Sequence, residues 1–251
     1  MADPYIKIEN LIKTYSSKAE KLVVLSGIDF EINRGEIVCL LGTSGSGKTT
    51  TLNLLAGIDK PTAGKILYDN NEIHSWSLNH LSEYRLNKIG FIFQDFYLME
   101  HLTALENVMI PIILRGETEE FAKEHSVDLL QSVGLGKKAL SLPNELSSGE
   151  KQRVCVARAI ANSPSILIAD EPTGTLDTKT GDEIMDLLLN LVKKNNMSLI
   201  YTTHDPYVTK LADKIIVLQR GRISQYTKEE FPEVDYDKTS YQFLVGEENN
   251  E

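Results

Sequence analysis

A glycine-rich stretch between a short apolar run and a helical pattern has the residue types that hold a polyphosphate. Residues 37–41 are apolar, and the stretch after them reads Gly42, Thr43, Ser44, Gly45, Ser46, Gly47, Lys48, Thr49 and Thr50. This strand, loop and helix context is the one that the G-x-x-x-x-G-K-[ST] phosphate loop requires. Its backbone N–H groups, and the positive end of a helix that begins near Lys48, favour an anion. We therefore expect Lys48 to reach the β- and γ-phosphates of a nucleotide and the Thr49 hydroxyl to coordinate Mg²⁺.

Two acids follow a second apolar run at residues 165–169. Asp170 and Glu171 therefore stand at the carboxyl end of a predicted parallel strand, where α/β sheets place their ligand chemistry. An aspartate at this position holds Mg²⁺, and Glu171 is placed to polarise the water that attacks a γ-phosphate. Alone, the two acids could simply form a turn with Pro172, but the phosphate loop upstream favours the catalytic interpretation.

Two further polar residues end predicted strands. Gln94 follows the run 88–93, and its amide could bind Mg²⁺ or orient water. His204 follows the run 198–203, in the strand after that of Asp170, and this placement favours a contact with the γ-phosphate. Each has an ordinary structural alternative. A lone histidine is usually structural, and the Asp-Pro pair after His204 has the composition of a helix cap.

Residues 146–153 carry a second anion-binding signal. Ser147 and Glu150 have the spacing of a capping box, which predicts that a helix starts there. On one interpretation the box only starts this helix. On the other, Ser147 and Gly149 lie at a capped helix N-terminus that binds an anion. Because the chain already has a phosphate loop for its own nucleotide, this second site would serve a nucleotide on another subunit.

Composition limits the classes of protein to which the chain can belong. Its 251 residues include 26 basic and 36 acidic ones, and the formal net charge of −10 argues against a free-standing binder of nucleic acid or of an anionic membrane. Cys39 and Cys155 fall in apolar patterns and are interpreted as small core residues, which suits a reducing cytoplasm. The sequence has no run of about 18 apolar residues and no signal-peptide pattern at its start, so we expect a separate chain to supply any membrane anchor.

The apolar patterns predict an α/β fold. Short alternating runs predict a small antiparallel sheet around the phosphate loop, at residues 5–9, 22–25, 28–32 and 65–68, with Tyr15 in the loop between the first two strands. Continuous apolar runs predict buried, mainly parallel strands, at residues 37–41, 165–169, 198–203 and 214–218. The pattern from about residue 95 to 163 is mostly helical. We expect one domain of residues 1–225, with a β subdomain and nucleotide core (1–94), an inserted α-helical subdomain (95–163), further core (164–225), and then an acidic tail (226–251).

Taken in chain order, these motifs resemble those of the ATP-binding subunits of ABC transporters, over roughly residues 5–224. The ordered set comprises Tyr15, the phosphate loop 42–49, Gln94, the signature-like stretch 146–150, Asp170 with Glu171, the stretch 174–177 and His204. An ordered set of this kind is far more specific than any one member. The resemblance implies a phosphate-loop NTPase core of the RecA-like type, with ATP and Mg²⁺ as ligands.

The resemblance also implies a role for each residue. Tyr15 stacks on adenine, Glu171 is the general base, and His204 contacts the γ-phosphate. The phosphates and Mg²⁺ are handled by Lys48, Thr49, Gln94 and Asp170. Ser147 and Gly149 bind the γ-phosphate of ATP on the opposite subunit, and Asp177 communicates across the dimer.

Residues 106–111, 171–174 and 203–206 most resemble the branch that includes macrolide-export, lipoprotein-release and antimicrobial-peptide-resistance systems. The chain departs from the family in two places. Ser148 and Glu150 stand where the family usually has glycine and glutamine, and residues 174–176 read Gly-Thr-Leu rather than Ser-Ala-Leu or Gly-Asn-Leu. We expect the Cβ of Ser148 and the carboxylate of Glu150 to weaken dimerisation or to couple it more tightly.

The function expected from this resemblance is that of a motor subunit. Two copies, or one copy and a paralogous ATPase, hold two ATP molecules, and hydrolysis drives a separate integral membrane permease to export or extract a substrate. The subunit would work at the cytoplasmic face of the membrane, without nucleic acid. The helical subdomain and the loop 96–100 would meet the permease. An alternative is a mechanotransmission or regulatory ATPase that acts on a cell-envelope partner without transport.

Two other classes fit the sequence less well. A soluble ATPase of chromosome maintenance or translation would show a long coiled-coil insertion or two fused nucleotide domains, and this chain shows neither pattern. A generic phosphate-loop kinase would leave the residues 146–153 unexplained.

Overall fold

A computed structural model describes residues 4–16 and 21–232 of the chain. It divides into two compact units, the first formed by residues 1–77 and 200–251 and the second by residues 78–199. The subdomain boundaries expected near residues 95 and 163 stay a prediction, because the contacts divide the chain elsewhere. Most of the predicted acidic tail, from residue 233 onward, lies outside the described residues.

The secondary structure follows most of the predicted pattern. In chain order the strands are β1 (Ile6–Ser16), β2 (Lys21–Ile32), β3 (Ile37–Leu41), β4 (Ala63–Tyr68), β5 (Asn71–Glu72), β6 (Ile89–Ile92), β7 (Ile166–Ala169), β8 (Ser198–Thr203), β9 (Lys214–Gln219) and β10 (Arg222–Thr227). The α-helices are α1 (Lys48–Leu55), α2 (Leu78–Lys88), α3 (Ala104–Leu114), α4 (Glu119–Ser132), α5 (Ser148–Ile160) and α6 (Thr178–Lys194). Short 3₁₀ helices cover Ile73–Ser75, Gly136–Lys138, Pro143–Glu145 and Pro206–Leu211.

The first unit contains the predicted antiparallel sheet, with the strand order β2-β1-β4-β5. Two details of the prediction were wrong. The runs 22–25 and 28–32 belong to one strand, β2, and Tyr15 lies within β1, where it pairs with Leu22. Register shifts between Ile8 and Thr14 interrupt the alternation of inward and outward side chains while the pairing continues. Because a bulge shifts the alternation of side chains, a long strand that contains one does not show the two-residue period by which strands are predicted.

The predicted parallel strands are present in both units. In the first unit β3 pairs in parallel with β9, and β9 pairs with β10 in the antiparallel direction. In the second unit β6 pairs in parallel with β7, with Ile89 opposite Ile166. Every residue of β3 and β7 is buried, as expected for parallel strands covered on both faces. These pairings confirm the predicted α/β class.

The second unit supplies the helices. The predicted helical character of residues 95–163 is confirmed by α3, α4 and α5, each of which starts at a Ser or Thr N-cap. Sequence reasoning missed α2, because only Leu81 and Tyr84 of its eleven residues are buried and its apolar periodicity is weak. No helix in the described ranges is both long and apolar enough to cross a bilayer.

The two cysteines are core residues, as predicted. Both Cys39 and Cys155 are buried and free. Burial raises the pKa of the Cys39 thiol to about 12 and that of the Cys155 thiol to about 11. Neither thiol ionises near neutral pH, so both behave as small apolar groups.

Candidate functional site

The glycine-rich loop joins the end of β3 to the start of α1, where the sequence predicted it. Gly47 and Gly45 have φ angles of +108° and +77°, in the left-handed region that favours glycine. At Gly42 a Cβ would lie 2.5 Å from Ser46 Oγ and 2.6 Å from the Leu218 carbonyl oxygen. The loop can therefore pack this closely against the Leu218 backbone only because Gly42 has no side chain.

The polar groups of this loop fit a polyphosphate. Lys48 is buried, and its Nζ donates hydrogen bonds of 2.9 Å to the Gly42 carbonyl and 3.1 Å to the Thr43 carbonyl. The Ser46 hydroxyl is buried and has no hydrogen-bond partner among the described residues. Since an unpaired buried hydroxyl is costly, its presence points to a ligand that would pair with it. The Lys48 ammonium and the helix N-terminus both favour a negatively charged ligand.

Tyr15 and His204, the other predicted site residues of the first unit, both have exposed side chains. Tyr15 lies near the end of β1, and its side-chain hydroxyl donates a 2.8 Å hydrogen bond to Asp59. His204 follows β8, as predicted, and the Asp205 backbone N–H donates to the Thr203 hydroxyl at 2.9 Å. The helical turn expected after Asp205 is present as a short 3₁₀ helix.

In the second unit, two predicted site residues follow neighbouring strands. Asp170 comes directly after β7, is buried, and donates its backbone N–H to the Ile92 carbonyl of β6 at 2.9 Å. Gln94 lies in a turn two residues beyond the end of β6. The pairing of β6 with β7 therefore brings the two turns to the same edge of this strand pair.

Glu171 has a backbone conformation that is unusual for its residue type. Its φ is +44°, and its carbonyl accepts a 3.1 Å hydrogen bond from the Gly174 N–H, which closes a tight turn. A non-glycine residue in the left-handed region is strained, and such strain concentrates at functional sites. The turn fixes the direction in which the Glu171 side chain leaves the backbone. This side chain is half-buried.

The predicted capping box at the start of α5 is confirmed. The Ser147 hydroxyl accepts from the Glu150 N–H at 3.3 Å, and the Ser147 N–H donates to the Glu150 carboxylate at 2.8 Å. This hydrogen bond lowers the pKa of Glu150, and Lys138, 3.6 Å away, contributes in the same direction. The carboxylate therefore stays ionised at the helix N-terminus.

Two residues near this helix start have opposite surroundings. Ser148 is exposed, so its Cβ meets no obstacle within its own unit. A Cβ at Gly149 would lie 2.6 Å from the Thr180 methyl group of α6. Asp177 caps the N-terminus of α6 by accepting from the Thr180 N–H at 3.1 Å. The hydrogen bond with the Thr180 side chain, together with this backbone bond, lowers the pKa of the Asp177 carboxyl. The structure therefore gives Asp177 a local role in starting α6.

Sequence reasoning missed two residues of α5 that contact the predicted site segments. Gln152 is buried, and its side-chain amide donates to the Pro172 carbonyl, next to Glu171, at 2.7 Å. Arg158 donates to the carbonyls of Phe96 and Tyr97, both at 2.6 Å. A polar Gln152 on the buried face of an amphipathic helix was the available signal, since buried polar groups require partners.

The comparisons with known proteins agree with these features. The model of the ABC transporter family matches residues 25–174. The "Lipoprotein-releasing system ATP-binding protein LolD" of Treponema denticola is 39% identical over 225 residues, which are 90% of this chain and 100% of that protein.

Solved structures resemble the chain in fold as well as in sequence. The dimeric structure of the cassette MJ0796, a protein of Methanocaldococcus jannaschii, has a TM-score of 0.84 and 39% identity, and the match covers 90% of this chain and all of that one. A second structure of that cassette, described as a dimeric post-hydrolysis state bound to ADP and Pi, has the same TM-score at 38% identity and the same coverage. The lipoprotein-release relative confirms the branch that the sequence indicated. The chain therefore belongs to the ABC transporter family, as an ATP-binding cassette with ATPase activity.

Proposed function

We propose that the chain is the motor subunit of an ABC transporter, in which ATP hydrolysis drives a separate integral membrane permease to export or extract a substrate. The observation that carries this proposal is the phosphate loop, which contains a buried Ser46 hydroxyl without a partner among the described residues and a buried Lys48. The family match and the ADP-bound relative support ATP as the ligand.

In the proposed binding step, residues 42–50 hold the phosphates of ATP. The Lys48 ammonium exchanges its hydrogen bonds to the Gly42 and Thr43 carbonyls for bonds to the β- and γ-phosphates. The Ser46 hydroxyl gains the partner that it lacks in the described structure. Mg²⁺ would be held by Thr49, Gln94 and Asp170, and when bound it neutralises charge on the phosphate oxygens.

In the proposed hydrolysis step, Glu171 acts as the general base. Its carboxylate accepts a proton from the attacking water, while the tight turn through Gly174 limits how far the carboxylate can move. His204 contacts the γ-phosphate, and Gln94 helps to orient the water as well as to bind Mg²⁺. These assignments follow the order of the family motifs, and the buried position of Asp170 at a strand end supports them.

A second subunit completes the proposed cycle. Ser147 and Gly149 would bind the γ-phosphate of ATP held by another copy or by a paralogous ATPase, with Asp177 communicating across the interface. The exposure of Ser147 and Ser148 at the N-terminus of α5 supports this role. The related cassette MJ0796 forms a dimer, which supports a homodimer here.

The permease would bind the second unit at the cytoplasmic face of the membrane. Large apolar side chains are exposed near the loop 96–100 and at the end of α3: Tyr97, Met99, Ile113 and Leu114. Exposed apolar residues of this kind often mark interaction sites. The lipoprotein-releasing relatives make a lipoprotein the first substrate to test.

The test is the rate of ATP hydrolysis by purified protein, alone and with candidate permeases. We expect Lys48→Ala and Glu171→Gln each to lower kcat at least about a hundredfold, the usual scale for loss of an electrostatic or acid–base group. Glu119→Gln is the matched control, because Glu119 is an exposed acid in the first turn of α4. Full activity of the Lys48→Ala protein would refute the proposed ATP site.

A further inference from the structure

We infer that Asp59 and Lys13 are positioning residues for the nucleobase, because together they fix the ring of Tyr15 relative to the phosphate loop. The inference rests on the proposed ATP site, and it adds two residues to it. Neither residue belongs to a nucleotide-binding motif. The residues that make these contacts all belong to the first unit. They include Lys13, Tyr15, Asp59 and Lys60.

The Asp59 carboxylate binds three donors at once. Its Oδ2 accepts from the Tyr15 hydroxyl at 2.8 Å, and its Oδ1 accepts from Lys13 Nζ and from the Lys60 backbone N–H, both at 2.7 Å. The hydrogen bonds from Lys13 and Tyr15 hold the pKa of Asp59 below its usual range although burial opposes them. The carboxylate is thus ionised and fixed in direction, which gives the Tyr15 hydroxyl one defined acceptor.

Lys13 holds the other side of this arrangement. Its side chain is about nine-tenths buried, and Nζ donates a second 2.7 Å hydrogen bond to the Lys60 carbonyl. The same ammonium lies 4.6 Å from the centroid of the Tyr15 ring, within the range of a cation–π contact. One face of the ring is therefore occupied by Lys13, and a base that stacks on Tyr15 must use the other face.

The arrangement also ties Tyr15 to the helix that starts at the phosphate loop. Partial burial of the phenol and the hydrogen bond to Asp59 raise the pKa of Tyr15, while the Thr50 side chain works against them. Thr50 is in the first turn of α1, directly after Lys48 and Thr49. Asp59 follows the other end of α1, and its backbone N–H donates to the Asn53 carbonyl at 3.2 Å.

Asp59, which follows the end of α1, therefore helps to determine where the ring of Tyr15 lies. A nucleotide whose phosphates are bound at the start of α1 would find its base platform already in place. Such preorganisation increases affinity, because the ring does not have to be ordered when the ligand binds. A purely structural cluster would stabilise the unit without affecting affinity for the base.

The experiment measures the Kd of ATP by calorimetry for Tyr15→Phe, Asp59→Asn and the double variant, using the full chain. Each single variant should raise the Kd about twofold to tenfold, the effect of losing one hydrogen bond. The double variant should match the single variants, because both remove the same contact. Glu72→Gln is the matched control, since Glu72 is an ion-paired acid of similar exposure in the same unit.

Two readouts separate positioning from a structural role. The inhibition constant of inorganic tripolyphosphate against ATP should stay at the wild-type value, because this probe has no base. The melting temperature of nucleotide-free Tyr15→Phe protein should also stay close to wild type. An unchanged Kd for ATP in both single variants, additive effects in the double variant, or an equal loss of tripolyphosphate affinity would overturn the inference. Failure of the wild-type protein to bind ATP would instead refute the proposed function.

Discussion

The side-chain amide of Gln152 donates a buried hydrogen bond of 2.7 Å to the backbone carbonyl of Pro172. This bond joins α5, whose first residues are the proposed contact for a second subunit, to the turn that carries Glu171. The other amide atom, Oε1, is buried and has no partner among the described residues. Gln152 therefore holds the turn next to the proposed base through one short hydrogen bond, and we expect this position to be sensitive to substitution.

Replacing Gln152 by methionine keeps the length of the side chain but removes the donor to Pro172. We expect the free energy of unfolding to fall by about 1–3 kcal/mol, because the Pro172 carbonyl would be left unpaired. We also expect kcat for ATP to fall, since the turn at Glu171 loses its anchor. Urea unfolding and steady-state kinetics measure the two effects. Gln131→Met is the control on the exposed surface of α4, and an unchanged kcat in Gln152→Met would contradict the anchoring role.

Replacing Arg158 by lysine should loosen the loop after Gln94. Phe96 and Tyr97 have φ angles of +56° and +46°, and the planar guanidinium of Arg158 holds the carbonyls of both residues. A lysine cannot reproduce this fork of donors. We expect faster amide hydrogen exchange at residues 96–99 and weaker stimulation of ATPase activity by the permease.

Arg115→Lys is the control for the Arg158 variant, since the Arg115 side chain holds its acceptor, the Asn162 carbonyl, through a long hydrogen bond of 3.4 Å. Hydrogen exchange followed by mass spectrometry measures the loop directly. Identical exchange at residues 96–99 in wild-type and Arg158→Lys protein would show that the loop does not depend on this contact.

Replacing Glu150 by glutamine should strengthen ATP-dependent association of the subunits. Glutamine can keep the capping box with Ser147, so the helix start stays intact. The substitution removes a negative charge that Lys138 only partly offsets, beside the proposed phosphate contact. In a Glu171→Gln background, dimers should form at a lower ATP concentration. Equal or higher ATP requirement would show that the carboxylate does not oppose phosphate binding.

Stability should fall in acid. The pKa values of Glu106, Glu150 and Asp177 are lowered, chiefly by hydrogen bonds at the N-termini of α3, α5 and α6. A lowered pKa gives stability that is fully present above the ordinary value near pH 4 and is lost as pH falls through the folded-state value. The melting temperature should therefore change little between about pH 7 and 5 from these groups and drop below about pH 4. A steep loss between pH 7 and 5 would point to other groups.

The parts of the fold that the sequence predicted correctly have strong local signals. Continuous apolar runs marked β3 and β7, and the Ser147–Glu150 spacing marked the start of α5. The missed parts depend on tertiary context. The register shifts in β1 hid the strand position of Tyr15, and α2 buries too few residues to show a helical period.

The same distinction applies to the candidate site. Lys48, Asp170 and Glu171 stand in motifs whose spacing reflects phosphate chemistry, so the sequence pointed to them directly. Asp59 and Gln152 act through single contacts with residues far away in the chain, and no spacing rule marks such pairs. The three-dimensional arrangement of the strands and helices identifies the partners of both residues.

The most direct test of the central claim is the mass of purified Glu171→Gln protein by light scattering, with and without ATP and Mg²⁺. This variant should bind ATP but hardly hydrolyse it, because an amide cannot accept the proton of the attacking water. We expect the mass of one 28.1 kDa chain without nucleotide and twice that mass with ATP and Mg²⁺. A mass that remains that of one chain while ATP is bound would contradict an ATP site shared between two copies.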